Sequence, residues 1–337
     1  MSSEIIVDDG IGETRAAVIE GDRIVELHIE RSGIEPRAGD VWDARLTKIL
    51  VPARRGIVSL ESTEALIEPI PASVTEGGRL RVKVVREAIP ERGRPRLPKV
   101  QATDEPPRGE GRAEAGPTLV ERVRALRLPL RLVKPHEPDL LEQAGWSEAI
   151  EEAATGIAPF DGGLLTISPT PAMTVIDVDG AMPPAELALA GAKAAALAIR
   201  RHGIAGSIGI DLPTVADKAV RQAAAAAIDA HLPPPFERTA VNGFGFIQIV
   251  RPRVRPSVVE LVQGDPIATA ALALLRRAER EPGRGERVLV AARGVTAWLE
   301  TRRDLLGELQ RRIGAPARLQ AEAALPISGG YVDVRLS

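Results

Sequence analysis

Three aspartates at the ends of two short apolar runs are the residues best suited to chemistry. The run MTVIDVDG carries Asp177 and Asp179, and the run IAGSIGID ends at Asp211. Carboxylates that lie together without a neighbouring Lys or Arg repel one another, and a divalent cation relieves that repulsion. Because hard oxygen ligands suit Mg²⁺ or Mn²⁺, the pattern predicts a metal site with room for water and a substrate phosphate. The alternative is that each Asp only caps the loop or helix after its strand.

The segment between the two runs determines whether these acids meet. It is rich in Ala, begins with Pro183-Pro184, and ends with a cationic turn before Gly203, which predicts one helix. A strand–helix–strand unit of this kind joins parallel strands through a right-handed crossover. The aspartates would therefore lie at the same edge of an α/β sheet, where such sheets place their sites.

Composition limits the remaining possibilities. The chain has 337 residues, 44% hydrophobic and 27% charged, which is long enough for two or three domains with substantial cores. A formal net charge of −2 means that any surface for binding nucleic acid would have to be local. The absence of Cys excludes disulfides and a thiolate zinc site, and aromatic residues at 2% leave few positions for stacking.

The start of the chain does not look like a targeting segment. MSSEIIVDDG has acidic residues where a signal peptide has cations and an apolar run. No run of 18 apolar residues follows, so we expect a cytoplasmic protein without a membrane segment.

The first hundred residues read as strands. Residues 4–30 predict three strands, with a tight turn at Gly21-Asp22. From Val41 to Glu87 short strands follow at close spacing, which is typical of a small β-barrel of the OB type. Trp42 is the one aromatic residue between Gly39 and Val100, so this barrel offers little for base stacking.

The end of the predicted barrel is basic. Arg79, Arg81 and Lys83 share one strand face by the two-residue period, and further cations extend the pattern. They would form either an edge strand protected by charge or a groove that follows phosphates. The cations that we assign to RNA binding in this part of the chain are Lys83, Arg86 and Arg92.

Two later segments complete the prediction. Residues 101–117 are polar, rich in Pro and Gly and without periodicity, which predicts a flexible linker. After a strand predicted over Gly245–Val250, the sequence RPRVRP sets Arg251, Arg253 and Arg255 on one face of an extended chain. They are either an exposed extended segment or an arginine fork that binds phosphate beside the metal. The tail, from 286 to 336, predicts a compact βαββ pattern.

Several stretches resemble the catalytic region of the ribonuclease E/G family. EIIVDDGIGETRAAVIEGDRIVELHIER resembles the first strands of that family, while GDVWDARLTKILVPARRGIVSL and EGGRLRVKVVREAIPERGRPRL resemble the two ends of its S1 domain. LLEQAGWSEAIEEA resembles the segment before its catalytic subdomain. PTPAMTVIDVDG, GSIGIDLPTV and NGFGFIQIVRPRVRPS resemble its catalytic run, and VLVAARGVTAWLETRRDLLGELQRRIG resembles its small C-terminal domain. The order of the stretches is preserved over most of the chain.

The resemblance implies an α/β fold of several domains. Residues 1–39 and 118–165 would form an RNase H-like subdomain into which an S1/OB-type barrel, 40–100, and the linker 101–117 are inserted. Residues 166–283 would form a DNase I-like catalytic subdomain and 284–337 a small C-terminal domain.

The resemblance also implies an activity, namely Mg²⁺-dependent cleavage of single-stranded RNA. Asp177 and Asp211 match the metal ligands of the family, and Asp179 stands where the family usually has Asn. Arg251 and Arg253 would bind flanking phosphates. Phe244 would contact a base or pack beneath the site, packing being the commoner role of a Phe.

The chain departs from the family in ways that matter. Gln248 stands where a Glu is common, the segment that reads RNA 5′ ends is replaced by 101–117, and the cysteines of the zinc link between protomers are missing. We therefore expect no zinc and no 5′-end sensing of the family's kind, and a homodimer without the zinc link stays open. Three functions remain open: the nuclease, a catalytically weak or inactive RNA-binding paralogue, and a structural or regulatory subunit.

Overall fold

The structure is a computed structural model that describes residues 3–61, 63–91 and 95–335 of a mixed α/β protein. Arg92, which we assign to RNA binding, lies outside these residues. Within them, no single helix is long and apolar enough to cross a membrane. One bent pair of helices, Val258–Gly264 with Pro266–Arg280, meets the same length and composition criterion when the two are taken together. The elements in chain order are β1 Ser3–Asp9, β2 Glu13–Glu20, β3 Arg23–Arg31, β4 Val41–Val51, β5 Arg55–Leu60, β6 Thr63–Ile67, β7 Arg79–Arg86, β8 Lys99–Ala102, β9 Gly111–Glu114, α1 Leu119–Arg124, β10 Leu130–Val133, α2 Leu140–Gln143, α3 Trp146–Thr155, β11 Ile157–Phe160, β12 Gly163–Pro169, β13 Thr174–Gly180, α4 Pro184–Arg201, β14 Gly206–Asp211, α5 Lys218–His231, β15 Glu237–Arg238, β16 Phe246–Arg251, α6 Val258–Gly264, α7 Pro266–Arg280, β17 Glu286–Ala291, α8 Arg293–Glu300, α9 Arg303–Ile313, β18 Ala317–Ala321 and β19 Tyr331–Arg335.

The chain forms two compact units, each assembled from separate segments. The first unit contains Met1–Gly33, Leu126–Ala154 and Val262–Ser337, and the second contains Ile34–Ala125 and Thr155–Leu261. The barrel and the sheet that carries the three aspartates both belong to the second unit.

The first unit contains two sheets. One has the strand order β10-β1-β2-β3, in which β1 runs parallel to β10, and it includes the three strands predicted over 4–30. The other is β18-β17-β19, and its core includes side chains from α7, α8 and α9. The prediction of a single helix in the tail is wrong, because Thr301 and Arg302 interrupt it and separate α8 from α9.

Five strands of the second unit close into a β-barrel. The order β5-β6-β8-β7-β4 is completed by pairing of β4 with β5, and β9 adds to the outer edge of β4. Alternate residues point inward along each strand, and their side chains form the barrel core, including Trp42, Leu46, Val58, Leu60, Ile67 and Val82.

The segment 101–117 is part of the barrel structure, in contrast to the predicted flexible linker. It contains β9, which pairs with β4. The buried carboxylate of Asp43 on β4 accepts hydrogen bonds from the backbone N–H groups of Arg108 (2.9 Å) and Gly109 (2.7 Å). Composition suggested a linker because the segment has no apolar periodicity. Its attachment depends instead on backbone groups and on two buried acids, Asp43 and Asp40, the second of which accepts from the N–H of Gly116 (2.7 Å).

The second unit also contains a six-stranded sheet with the order β11-β12-β13-β14-β16-β15. β13 and β14 are parallel and joined by α4, as the Ala-rich segment predicts. β16 runs antiparallel to β14. Helix α4 covers one face, on which the buried residues Ile176, Val178, Ile208, Ile210, Ile247 and Ile249 lie. The opposite face, the acidic face, carries Asp177, Asp211 and Phe246.

Candidate active site

Asp177 and Asp211 are directly paired residues on neighbouring parallel strands. Asp177 is the partner of Asp211 in the register of β13 and β14, so their side chains leave the same face of the sheet. On the two outer strands, Thr166 of β12 is the register partner of Asp177 and Phe246 of β16 is the register partner of Asp211. Neighbouring strands lie about 4.8 Å apart, and two carboxylates at that separation can share one cation.

Asp179 adds a third carboxylate to the acidic face, two residues beyond Asp177. The side chains of all three acids are exposed. Burial raises the pKa of Asp177 above its ordinary value, and the negative charges of Asp179 and Asp211 raise it further. The carboxylates of Asp179 and Asp211 are thus the charges that act on Asp177 at this edge of the sheet.

The charge on the acidic face lacks compensation within the described part of the chain. None of the ion pairs found there involves Asp177, Asp179 or Asp211, and none of the causes that shift the pKa of Asp177 is a cation. The side chains as they stand do not form a ready-made set of three or more metal ligands in the residues described. A Mg²⁺ ion is usually held by one or two carboxylates plus water and phosphate oxygens, and Asp177 with Asp211 fits that donor set.

Phe244 is exposed, so packing beneath the site is the wrong role for it. Its side chain is 81% exposed, in a turn between β15 and β16. The Asn242 side chain fixes this turn, because its Oδ1 accepts from the N–H groups of Phe244 (2.9 Å) and Phe246 (3.0 Å). The carbonyl of Phe244 accepts from the hydroxyl of Thr214 (3.0 Å), which follows Asp211 by three residues.

Phe246 and Gln248 are site residues whose positions sequence reasoning did not resolve. Phe246 is the register partner of Asp211, and its ring lies over Gly209 on the acidic face. Gln248 is on the same face and donates to the hydroxyl of Ser207 (3.0 Å), so this side chain is engaged within the sheet. The signal in the sequence was the two-residue spacing of Phe244, Phe246 and Gln248, which becomes informative only when the partner strand is known.

The structure separates Arg251 and Arg253 from the acids, and this overturns the arginine fork beside the metal. Because β16 is antiparallel to β14, Arg251 pairs with Gly206 at the opposite end of the strand from Asp211. Five residue steps of about 3.3 Å separate the two ends, roughly 17 Å in all. Arg251 Nη1 donates to the carbonyl of Ile204 (2.9 Å). The direction of the third strand, which decides this placement, was not readable from the sequence.

Arg253 takes part in the contact between the sheet and the barrel. Its guanidinium forms an ion pair with Glu260 and lies 3.9 Å from Glu91, which belongs to the segment between β7 and β8, the barrel extension. Arg96 in the same extension donates to the carbonyl of Pro171 (2.9 Å), shortly before β13. These contacts attach the barrel to the end of the sheet away from the aspartates.

The basic stripe predicted on β7 is interrupted. Arg81 is buried, and its guanidinium is bound by Asp43 (2.8 Å) and Glu105 (2.9 Å), so it is not available to a phosphate. Lys83 is exposed. Arg86 is partly buried, and burial together with the nearby charges of Arg96 and Arg253 lowers its pKa. The prediction of a continuous basic stripe was wrong because strand periodicity does not distinguish a solvent-exposed cation from one that a later segment of the chain covers.

Comparison of the chain with models of known protein families and with curated proteins found no match.

Proposed function

We propose that the protein is a Mg²⁺-dependent endoribonuclease that cleaves single-stranded RNA, in keeping with the resemblance of its sequence to the ribonuclease E/G family. The observation that carries this proposal is the direct pairing of Asp177 and Asp211 on parallel strands, exposed and without a cationic partner in the described residues. An acidic pair of this kind stabilises no fold by itself, because its members repel one another. A bound divalent cation gives the pair a function.

The roles of the residues follow from their positions. Asp177 and Asp211 would hold Mg²⁺, which supplies an activated water molecule and neutralises charge that builds on the scissile phosphate. Asp179, on the same face, would hold or orient water and adds negative charge that favours the cation. Attack of water on phosphorus forms a P–O bond and breaks the bond to the 3′ oxygen, which leaves with a proton. The products are a 5′-phosphate and a 3′-hydroxyl.

The β-barrel is a second feature that favours RNA as the substrate. Its five strands form a closed barrel, and this barrel and the acidic sheet belong to the same compact unit. We propose that the barrel is of the S1/OB type, which binds single-stranded nucleic acid. Lys83 and Arg86 remain the candidate phosphate contacts on β7. Arg81 is not a candidate, because Asp43 and Glu105 bind its guanidinium. An RNase H-like character of the sheet β10-β1-β2-β3 is part of the same proposal.

The runner-up is a catalytically weak or inactive RNA-binding paralogue, and specific observations favour it. The expected phosphate ligands Arg251 and Arg253 are far from the acids, and Asp179 and Gln248 replace residue types that the family uses. A protein of this kind would bind RNA without cutting it.

The ends of the cleavage products test the proposal. A single-stranded RNA incubated with the protein and Mg²⁺ should yield 5′-phosphate ends, and EDTA should abolish cleavage. A substrate methylated at the 2′ oxygens should still be cut, because the attacking group is water and not the 2′-hydroxyl. Products with 2′,3′-cyclic phosphates would come from another mechanism, that of a contaminating nuclease, and binding without cleavage would favour the paralogue.

A further inference from the structure

Phe244 is exposed although the turn that carries it is firmly held. Its 81% exposure is well above that of Leu132, which at 53% is next among the exposed large hydrophobic side chains of the described residues. A solvent-exposed Phe forgoes the free energy that burial of its side chain would supply. A side chain kept in this position by an ordered turn is suited to bind something flat and apolar.

Backbone contacts fix the turn to the strand that ends at Asp211. The N–H of Leu212, the residue after Asp211, donates to the carbonyl of Gly245 (3.2 Å). Gly245 has a φ of 93°, and a Cβ there would collide with the carbonyl oxygen of Leu212. The backbone that carries the Phe244 ring is therefore held in place next to the strand that ends at Asp211.

A second aromatic ring lies on the acidic face next to this turn. Phe246 is paired with Asp211 and covers Gly209, where any side chain would occupy the space of the ring. Met173 Sδ lies beside the same glycine. The absence of a Cβ at position 209 thus lets the Phe246 ring lie along the sheet next to a carboxylate.

Aromatic residues are too rare in this chain for the pair to be expected by composition. The sequence contains four Phe, three Trp and one Tyr, and two of the four Phe, Phe244 and Phe246, are only two residues apart. Trp42 in the barrel, where single-strand binders of this type usually stack bases, is buried in the core. The stacking function that the barrel lacks is available beside Asp211.

We infer that Phe244 and Phe246 form a stacking subsite for one unpaired base next to the phosphate that the acidic pair would engage. The inference rests on the proposed function and extends it, because it places base recognition on the catalytic sheet. An aromatic face binds any base by stacking, and adenine offers a large surface. A base in a duplex is already stacked and paired, so the subsite selects single-stranded RNA.

Binding measured in EDTA separates this inference from cleavage. The full-length protein is titrated into fluorescein-labelled oligoadenylate and, separately, into an abasic ribose-phosphate oligomer of the same length. Wild type should bind oligoadenylate more tightly than the abasic oligomer. The Phe244→Ala variant should bind oligoadenylate roughly tenfold more weakly, the size of one lost base stack, and bind the abasic oligomer as wild type does.

Three further variants make the result specific. Phe244→Trp should restore the preference for oligoadenylate, and Phe246→Leu should reduce it in a variant that circular dichroism shows to be folded. Leu189→Ala removes another exposed apolar side chain, on α4, and should leave binding unchanged. An equal preference in wild type and Phe244→Ala would overturn the subsite. Cleavage without that preference rejects the subsite alone, whereas base preference without cleavage supports the subsite and rejects the nuclease.

Discussion

Asp177 and Asp211 face each other across the boundary between β13 and β14 as register partners, with no intervening residue and no cation paired to either in the described chain. This relationship depends on two features: strands that run in parallel, and a crossover helix that returns the chain to the same edge of the sheet. The acids are therefore positioned by backbone pairing and do not require flexible loops.

Asp179 should contribute to metal affinity through its charge. The Asp179→Asn variant keeps the shape of the side chain and removes one of the negative charges that act on Asp177. We expect severalfold weaker binding of Mn²⁺ at neutral pH, measured by electron paramagnetic resonance of the free ion, with Mg²⁺ as competitor. The Asp104→Asn variant removes an exposed charge in the barrel loop and should bind as wild type does. Unchanged affinity in Asp179→Asn would remove this residue from the site.

Asp43 should make the stability of the protein depend on pH. Hydrogen bonds from Arg81, and from the backbone of Arg108 and Gly109, hold the pKa of Asp43 far below its ordinary range. A carboxylate whose pKa is depressed by folding stabilises the native state above its unfolded pKa, about 3.9, and loses that contribution as the pH falls. The Asp43→Asn variant should be less stable at pH 7.

The pH series that tests this uses urea denaturation of wild type and Asp43→Asn. The difference in free energy of unfolding should be constant at neutral pH and should shrink as the pH falls below about 4. A difference that stays the same throughout would mean that lost packing, and not charge, accounts for the effect.

Deletion of residues 101–117 should destabilise the barrel. The deletion removes the last two residues of β8, all of β9, the partners of Asp43 and the ion pair between Glu105 and Arg81 (2.9 Å). We expect a lower melting temperature and faster proteolysis within 40–100. A variant that keeps the segment but carries Asp104→Asn serves as the control. Unchanged stability of the deletion would restore the interpretation of this segment as a linker.

Two helical glycines allow a test of how closely α4 packs on the sheet. A Cβ at Gly191 would overlap the side chain of Val178, whereas one at Gly307 in α9 meets nothing within 4 Å. The Gly191→Ala variant should lose about 1–3 kcal/mol of unfolding free energy through overpacking. Gly307→Ala should gain up to about 1 kcal/mol, because Ala favours the helix. Thermal denaturation of both variants measures these changes in stability. A Gly191→Ala variant more stable than wild type would contradict the close contact between α4 and Val178.

The sequence was sufficient for those parts of the fold that depend on local pattern. Alternation predicted the first three strands, and the Ala-rich segment with its Pro start predicted α4 between parallel strands. The meeting of Asp177 with Asp211 followed from that topology. Each is a property of one segment and its immediate neighbours in the chain.

The errors concern contacts between segments that are distant in sequence. The direction of β16 decides that Arg251 lies away from Asp211, and the sequence of the strand is the same for either direction. Arg81 looked available because its partners, Asp43 and Glu105, come from other parts of the barrel. Phe244 looked buried because apolar side chains usually are, and its exposure became visible only with the turn in place.

Cleavage by the acid variants tests the central claim most directly. An end-labelled single-stranded RNA is incubated in Mg²⁺ with wild type, with Asp177→Asn, with Asp211→Asn and with the double variant. We predict cleavage by wild type, none by any variant, and RNA binding retained in all four, with melting temperatures showing that each is folded. Cleavage by a folded Asp177→Asn or Asp211→Asn at the wild-type rate would contradict the assignment of the acidic pair as the metal site.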